Sequence, residues 1–151
     1  KLDILDKSKN RDYAAIFMDI NDLKYTNDHF GHEEGDHLIR MVSSSIKKAM
    51  DNMSGFYGRN GGDEFLSVLI PANKATEVAK QINANLQKTK EEEKPVFPVS
   101  LSLGIANYRE VEEERRFSGL EMISSSDVIR KADARMYEDK CVHKKKHPLV
   151  S

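Results

Sequence analysis

The 151-residue chain predicts an α+β domain, with helices packed on a mainly antiparallel sheet in the order β-α-α-β-β-α-β-α. Three features of the sequence carry that prediction. Apolar residues recur at helical spacing in three long stretches, and short apolar runs of strand length lie between them. Two of those runs are joined by Asn60-Gly61-Gly62, a hairpin signal because tight hairpin turns need positive φ and glycine supplies it cheaply. Hydrophobic residues make up 38% and charged residues 32%, which fits a folded domain rather than a disordered chain. The length suits one domain over residues 1–151.

Lys1 to Arg11 reads as the end of a helix followed by a loop, with Leu2, Ile4 and Leu5 its large apolar residues. Tyr13–Met18 is an apolar run stopping at Asp19, the pattern of a buried strand. Asp22–His29 is polar and helix-compatible, and Gly31 and Gly35 punctuate the chain after it. Leu38, Val42, Ile46, Ala49 and Met53 mark an amphipathic helix over Asp36–Met53. The hairpin comes next: Gly55–Gly58 extended, the glycine turn, then Phe65–Ile70, closed by Pro71. Ala75, Val78, Ala79, Ile82 and Leu86 mark another helix, running out into the charged Lys88–Lys94 stretch. From Phe97 to Ala106, large residues alternate with small ones, predicting a strand whose small face suits a closely packed helix. Glu110–Arg116 reads as a solvated loop. Ser124-x-x-Asp127 is a capping box opening a helix through Val128, Ile129, Ala132 and Met136, and His143–His147 is a basic tail. The sequence shows no internal repeat and no linker.

A formal net charge of −1 excludes nucleic-acid binding through a general basic field. One cysteine, Cys141, excludes an internal disulfide and fits a reducing, cytoplasmic setting. No apolar run has transmembrane length, so no membrane contact is expected of this domain. The chain opens at Lys1 within an apparent helix, so it is expected to be a C-terminal piece of a longer signalling protein. An upstream sensor module, and with it a membrane anchor, would then precede it.

Three acids form the chemical focus. Asp19 ends a buried strand, and Asp63 and Glu64 sit at the hairpin mouth, where glycine lets a bulky ligand approach. If those strands are neighbours, the carboxylates converge, repel one another and rise in pKa unless a cation joins them. Oxygen ligands without His or Cys point to Mg²⁺ or Mn²⁺ held together with substrate phosphates, as in phosphoryl or nucleotidyl transfer. Each residue also has a plainer reading: a charged hairpin tip, and a helix N-cap at Asp19.

Asp19-Ile20-Asn21-Asp22-Leu23-Lys24, Asn27-Asp28, Gly31-His32, Gly35-Asp36 and Arg59-x-Gly61-Gly62-Asp63-Glu64-Phe65 together resemble the GGDEF domain of diguanylate cyclases. Val99–Ala106 and Ala132-Asp133-x-x-Met136-Tyr137-x-x-Lys140 extend the likeness to nearly the whole chain. The resemblance implies a palm-like fold related to nucleotide cyclases and ferredoxin-like domains. It also implies condensation of two GTP into cyclic di-GMP by a homodimer holding one GTP per subunit. By the same resemblance, Asp19, the Ile20 carbonyl, Asp63 and Glu64 hold two Mg²⁺ or Mn²⁺ per GTP, with Asp63 and Glu64 the catalytic acids. Asn27, His32 and Asp36 meet the guanine, which an amide and a carboxylate can tell from adenine. Backbone N–H groups of Asp22, Leu23 and Lys24 cradle phosphates, with Lys24, Lys140 and Lys144 adding charge.

The sequence departs from the family at several points. After Lys140 the family continues to Gly-Arg-Asn; here stand His143, Lys144 and Lys145, and a lysine cannot reproduce an arginine fork. Asn21 stands where aspartate is common. The product-binding Arg-x-x-Asp is replaced by Asn52 and Gly55, so no inhibitory product site is expected. The alternatives are a catalytically weak or silent GTP-binding regulatory module, a cyclase accepting ATP, and another metal-dependent nucleotidyltransferase.

Overall fold

The computed structural model describes residues 2–147 apart from 9, 118 and 120–122. The order is α1 (Leu2–Lys7), β1 (Ala14–Ile20), α2 (Leu23–Phe30), α3 (His32–Met50), β2 (Gly55–Gly61), β3 (Glu64–Leu69), α4 (Ala75–Glu93), β4 (Leu101–Asn107), α5 (Tyr108–Phe117) and α6 (Ser125–Lys146). The sheet runs β2-β3-β1-β4, every pairing antiparallel. This is the α+β architecture that the apolar periodicities predict.

β1 is buried along its whole length because it is central in the sheet and covered on both faces. Ala14, Ile16, Met18 and Ile20 face a core built with Leu38, Val42 and Ile46 of α3 and Val78, Ile82 and Leu86 of α4. Ala15 and Phe17 face a second core with Val68, Ala106, Val111 of α5, and Val128, Ala132 and Met136 of α6. Alternation along one strand therefore splits the molecule into three layers.

The small-residue face of β4 admits α6 at backbone distance. A Cβ on Gly104 would stand 2.2 Å from the Ala132 carbonyl oxygen and 2.3 Å from the Met136 nitrogen. α6 also closes the outer edge of β4. The Leu103 N–H donates to Asp139 Oδ2 at 3.0 Å, and Arg135 Nη1 donates to the Ile105 carbonyl at 2.6 Å. Asn107 N–H donates to Glu110 Oε2 at 3.0 Å, and Glu110 in turn pairs with Arg135. Polar side chains thus occupy an edge that would otherwise be open to another strand.

Several expected boundaries move. α3 begins at His32 rather than Asp36 and contains Gly35, which is a packing residue: a Cβ there would meet Asn27 Oδ1 at 1.7 Å. Glu110–Arg116 is not a loop but lies within helix α5. Its charges disguised it, yet Val111 is buried and Arg115, Glu114 and Glu110 pair with Asp127 (2.6 Å), Lys131 (2.5 Å) and Arg135 of α6. β4 starts at Leu101; Phe97 and Val99 reach the core from an irregular segment. β1 runs on through Asp19 to Ile20, and Lys1 lies outside the described residues. Among the described residues, no helix is long and apolar enough to cross a membrane.

Gly104→Ala is expected to cost about 3 kcal/mol, because backbone atoms of α6 cannot step aside as a side-chain tip can. Urea unfolding of the two proteins measures this.

Candidate functional site

Asp19, Asp63, Glu64 and Lys140 gather at one end of the sheet, where β1 leads into α2 beside the β2–β3 turn. Asp19 is the cross-strand partner of Glu64, and the Ile20 N–H donates to the Asp63 carbonyl at 2.9 Å. Only Gly62 and Asp63 lie between the hairpin strands, so Asp63 belongs to the turn itself while Glu64 opens β3. Arg59 braces the turn, its Nε and Nη2 donating to the Gly62 carbonyl at 2.9 and 2.6 Å. Nothing lies within 4 Å of where a Cβ on Gly61 or Gly62 would stand, which leaves the glycine backbone open to a ligand.

Asp19 is buried, and its two oxygens differ. Oδ2 accepts from Lys140 Nζ at 3.0 Å, whereas Oδ1 is buried without a partner. Burial pushes the Asp19 carboxyl up to about 6; Lys140 pulls it down, and Asp63 raises it further. Among the described residues, no three acid, histidine or cysteine side chains already surround a common point. The donor set still suits a hard divalent cation: it is all oxygen, and a buried carboxylate oxygen with no partner is what a cation would satisfy.

Next to Asp19, Asn21 is buried and ties β1 to β4. Its amide donates to Ser100 Oγ at 2.9 Å, and its carbonyl accepts from Ser102 Oγ at 2.8 Å. Asp22 follows in the left-handed conformation, φ 66°, and its side chain does not cap α2. The first N–H groups of α2 are thereby free of intrahelical partners and of a side-chain cap. Lys24 is exposed just inside that helix.

Asn27 on α2 is half-buried against Gly35, so the neighbouring Asp36 on α3 stands beside the same α2–α3 approach. Asp36 is exposed and lies inside α3; His32 is exposed and is the first residue of α3. From α6, Lys140 joins the site and Lys144 is exposed. His143, which the sequence marks as part of a basic tail and as a departure from the family's glycine, lies with Nε2 3.4 Å from Asp22 Oδ2. Its position in space is signalled by the spacing of three from Lys140, about one helical turn. At the replaced product-binding motif, Gly55 has φ 134° and a Cβ there would stand 1.9 Å from the Val68 carbonyl, so the backbone itself excludes a carboxylate side chain.

The profile of the family described as "Diguanylate cyclase, GGDEF domain" matches residues 2–146. The chain belongs to the GGDEF family of diguanylate cyclases. It is 30% identical to the signaling protein YkoW of Bacillus subtilis over 157 aligned residues, covering 97% of this chain and 18% of YkoW. It is 26% identical to diguanylate cyclase A of Treponema denticola, covering 87% of this chain and 33% of that protein. The chain thus spans a third or less of the length of these curated relatives. Among solved structures, the diguanylate cyclase SiaD of Pseudomonas aeruginosa superposes with a TM-score of 0.74 at 20% identity, covering 93% of this chain and 52% of SiaD. The active GGEEF domain of a diguanylate cyclase from Vibrio cholerae gives 0.65 at 25% identity, covering 91% of this chain and 81% of that one.

In this GGDEF domain the raised Asp19 carboxyl makes a linkage prediction. A carboxyl at about 6 when folded, against 3.8 in its ordinary state, binds its proton more tightly in the folded chain. Its cost to stability is absent below about pH 4, grows between about pH 4 and 6, and is complete above that window. Without divalent cations, Asp19→Asn is expected to stabilise the domain by about 3 kcal/mol at pH 8 and to leave it unchanged near pH 4. Denaturant midpoints at both pH values measure this.

Proposed function

We propose that the domain condenses two GTP into cyclic di-GMP with release of two pyrophosphates, acting as a homodimer with one GTP on each subunit. The observation that supports this most is the register of Asp19 against Glu64. It sets Asp63 beside a buried carboxylate oxygen that lacks a partner, at the same end of the sheet as the uncapped start of α2. Asp19, the Ile20 carbonyl, Asp63 and Glu64 are the groups that would hold Mg²⁺ or Mn²⁺, two per GTP. Such cations neutralise phosphate charge and acidify a bound hydroxyl.

On this reading the N–H groups of Asp22, Leu23 and Lys24 hold phosphate oxygens at the α2 N-terminus, and Lys24, Lys140 and Lys144 supply positive charge. Asn27 and Asp36 read the guanine edge with His32 beside them: Asp36 accepts from N1–H and the exocyclic amine, which adenine does not offer together. The 3′-hydroxyl oxygen of one GTP forms the new bond to the α-phosphorus of the other. The bond from that phosphorus to the bridging oxygen breaks, and pyrophosphate leaves with it. On this reading Asp63 takes the hydroxyl proton, and the step repeats with the roles exchanged. Two such domains must face each other, so the rate depends on pairing and positioning. A sensor module elsewhere in the full protein would set that pairing.

Incubating concentrated protein with GTP and Mn²⁺ or Mg²⁺ is expected to yield cyclic di-GMP by mass spectrometry, and Asp63→Ala is expected to lower the rate at least a thousandfold. The rate should rise more than linearly with protein concentration; strict proportionality would count against the dimer. A protein that binds GTP yet makes no product even when dimerised by a fused coiled coil would be a regulatory binding module instead.

Because Gly55 leaves no room for a carboxylate, product inhibition through the family's usual route is expected to be absent. Progress curves with added cyclic di-GMP should show no inhibition that excess GTP fails to relieve.

A further inference from the structure

We infer that His143 is a positioning residue for the phosphate-facing turn, holding Asp22 in its left-handed conformation from across the molecule. The inference rests on the proposed nucleotide site only for its effect on GTP.

Asp22 is one of three non-glycine residues with positive φ among those described, a conformation that crowds the Cβ of an L-residue against its own backbone. Aspartate commonly offsets part of that cost through a local hydrogen bond from its own side chain. Here the Asp22 carboxylate makes no cap bond to α2. It turns towards α6, where Oδ2 lies 3.4 Å from His143 Nε2 and each side chain is 19% exposed. With its proton on Nε2, His143 donates to that oxygen. His147, one turn further, packs beside the imidazole with ring centroids 5.0 Å apart.

The contact is one rung of two. Lys140 and His143 are three residues apart on α6 and so share a face; they meet Asp19 and Asp22, also three apart at the β1–α2 junction. The closeness of Gly104 to α6 fixes the helix that carries both. In the family, glycine stands at the position of His143 and can make no such contact. In this chain Lys144, in place of the phosphate-binding arginine, is exposed, and the neighbouring imidazole instead grips the turn whose N–H groups would face the phosphates.

The test uses the full chain and has two parts. Without nucleotide, the amide resonances of Asp22, Leu23 and Lys24 should shift in His143→Ala, and hydrogen exchange of the Thr26 amide, which donates to the Asp22 carbonyl at 2.9 Å, should quicken about tenfold. Amides at the far end of β1 should stay as they were. Unmoved turn amides would overturn the inference whatever the protein binds. With Mg²⁺ and nucleotide, calorimetry should show GTP binding about tenfold weaker in His143→Ala and guanosine binding unchanged. His143→Gln, which keeps an N–H donor, should recover most of the loss. Asp22→Asn combined with His143→Ala should lose no more than His143→Ala alone, since both act through one contact. Equal weakening for guanosine and GTP, or additive losses in the double variant, would overturn it. If the wild type binds no GTP, the nucleotide reading fails and the amide measurement still decides the clamp.

Discussion

Burying a carboxylate at the end of a strand that is itself enclosed on both faces is the constraint on which this domain turns. Asp19 cannot be relieved by solvent, because β3, β4 and α6 surround it. Its charge has to be answered from elsewhere in the chain, and α6 does so with Lys140. That in turn requires α6 to lie close, which only Gly104 and the small face of β4 permit. A lysine at 3.0 Å from Oδ2 still leaves Oδ1 unpaired, so the site is answered on one side and open on the other. An ammonium on a flexible stem is a suitable counter-charge here, since it reaches Oδ2 across the gap between α6 and β1 as a compact point charge.

The substitution at Asn21 fits the same logic. A second carboxylate two residues from Asp19 would add to the repulsion already felt from Asp63. The amide instead does something a carboxylate could not, donating to Ser100 while accepting from Ser102. It closes β1 onto β4 at the level of the site without adding charge.

Much of this was legible in the sequence because it rests on local periodicity. The buried run before Asp19, the glycine hairpin, the amphipathic α3 and α4 and the capping box at Ser124 all report their own environment. What escaped depends on residues far apart. α5 looks like a solvated loop because its sequence is almost all charge, and it is a helix because Arg115, Glu114 and Glu110 find partners on α6. Gly35 looks like a break and is a contact surface for Asn27. His143 looks like part of a basic tail, since nothing nearby in sequence announces Asp22. The residues of the site were readable as an ordered set of motifs; their pairwise contacts were not.

The central position of β1 carries a further consequence for how the chain comes into being. Its hydrogen-bonding neighbours, β3 and β4, begin at Glu64 and Leu101, and one of its two covers, α6, begins only at Ser125. A ribosome therefore delivers the most apolar strand first and the segments that shield it last. Until most of the chain has emerged, Ala14–Ile20 has a face without its native cover. Such order makes folding wait on distant contacts and lengthens the interval in which that strand can pair wrongly. The enclosure that gives Asp19 its unusual carboxyl is thus completed only when the last helix docks.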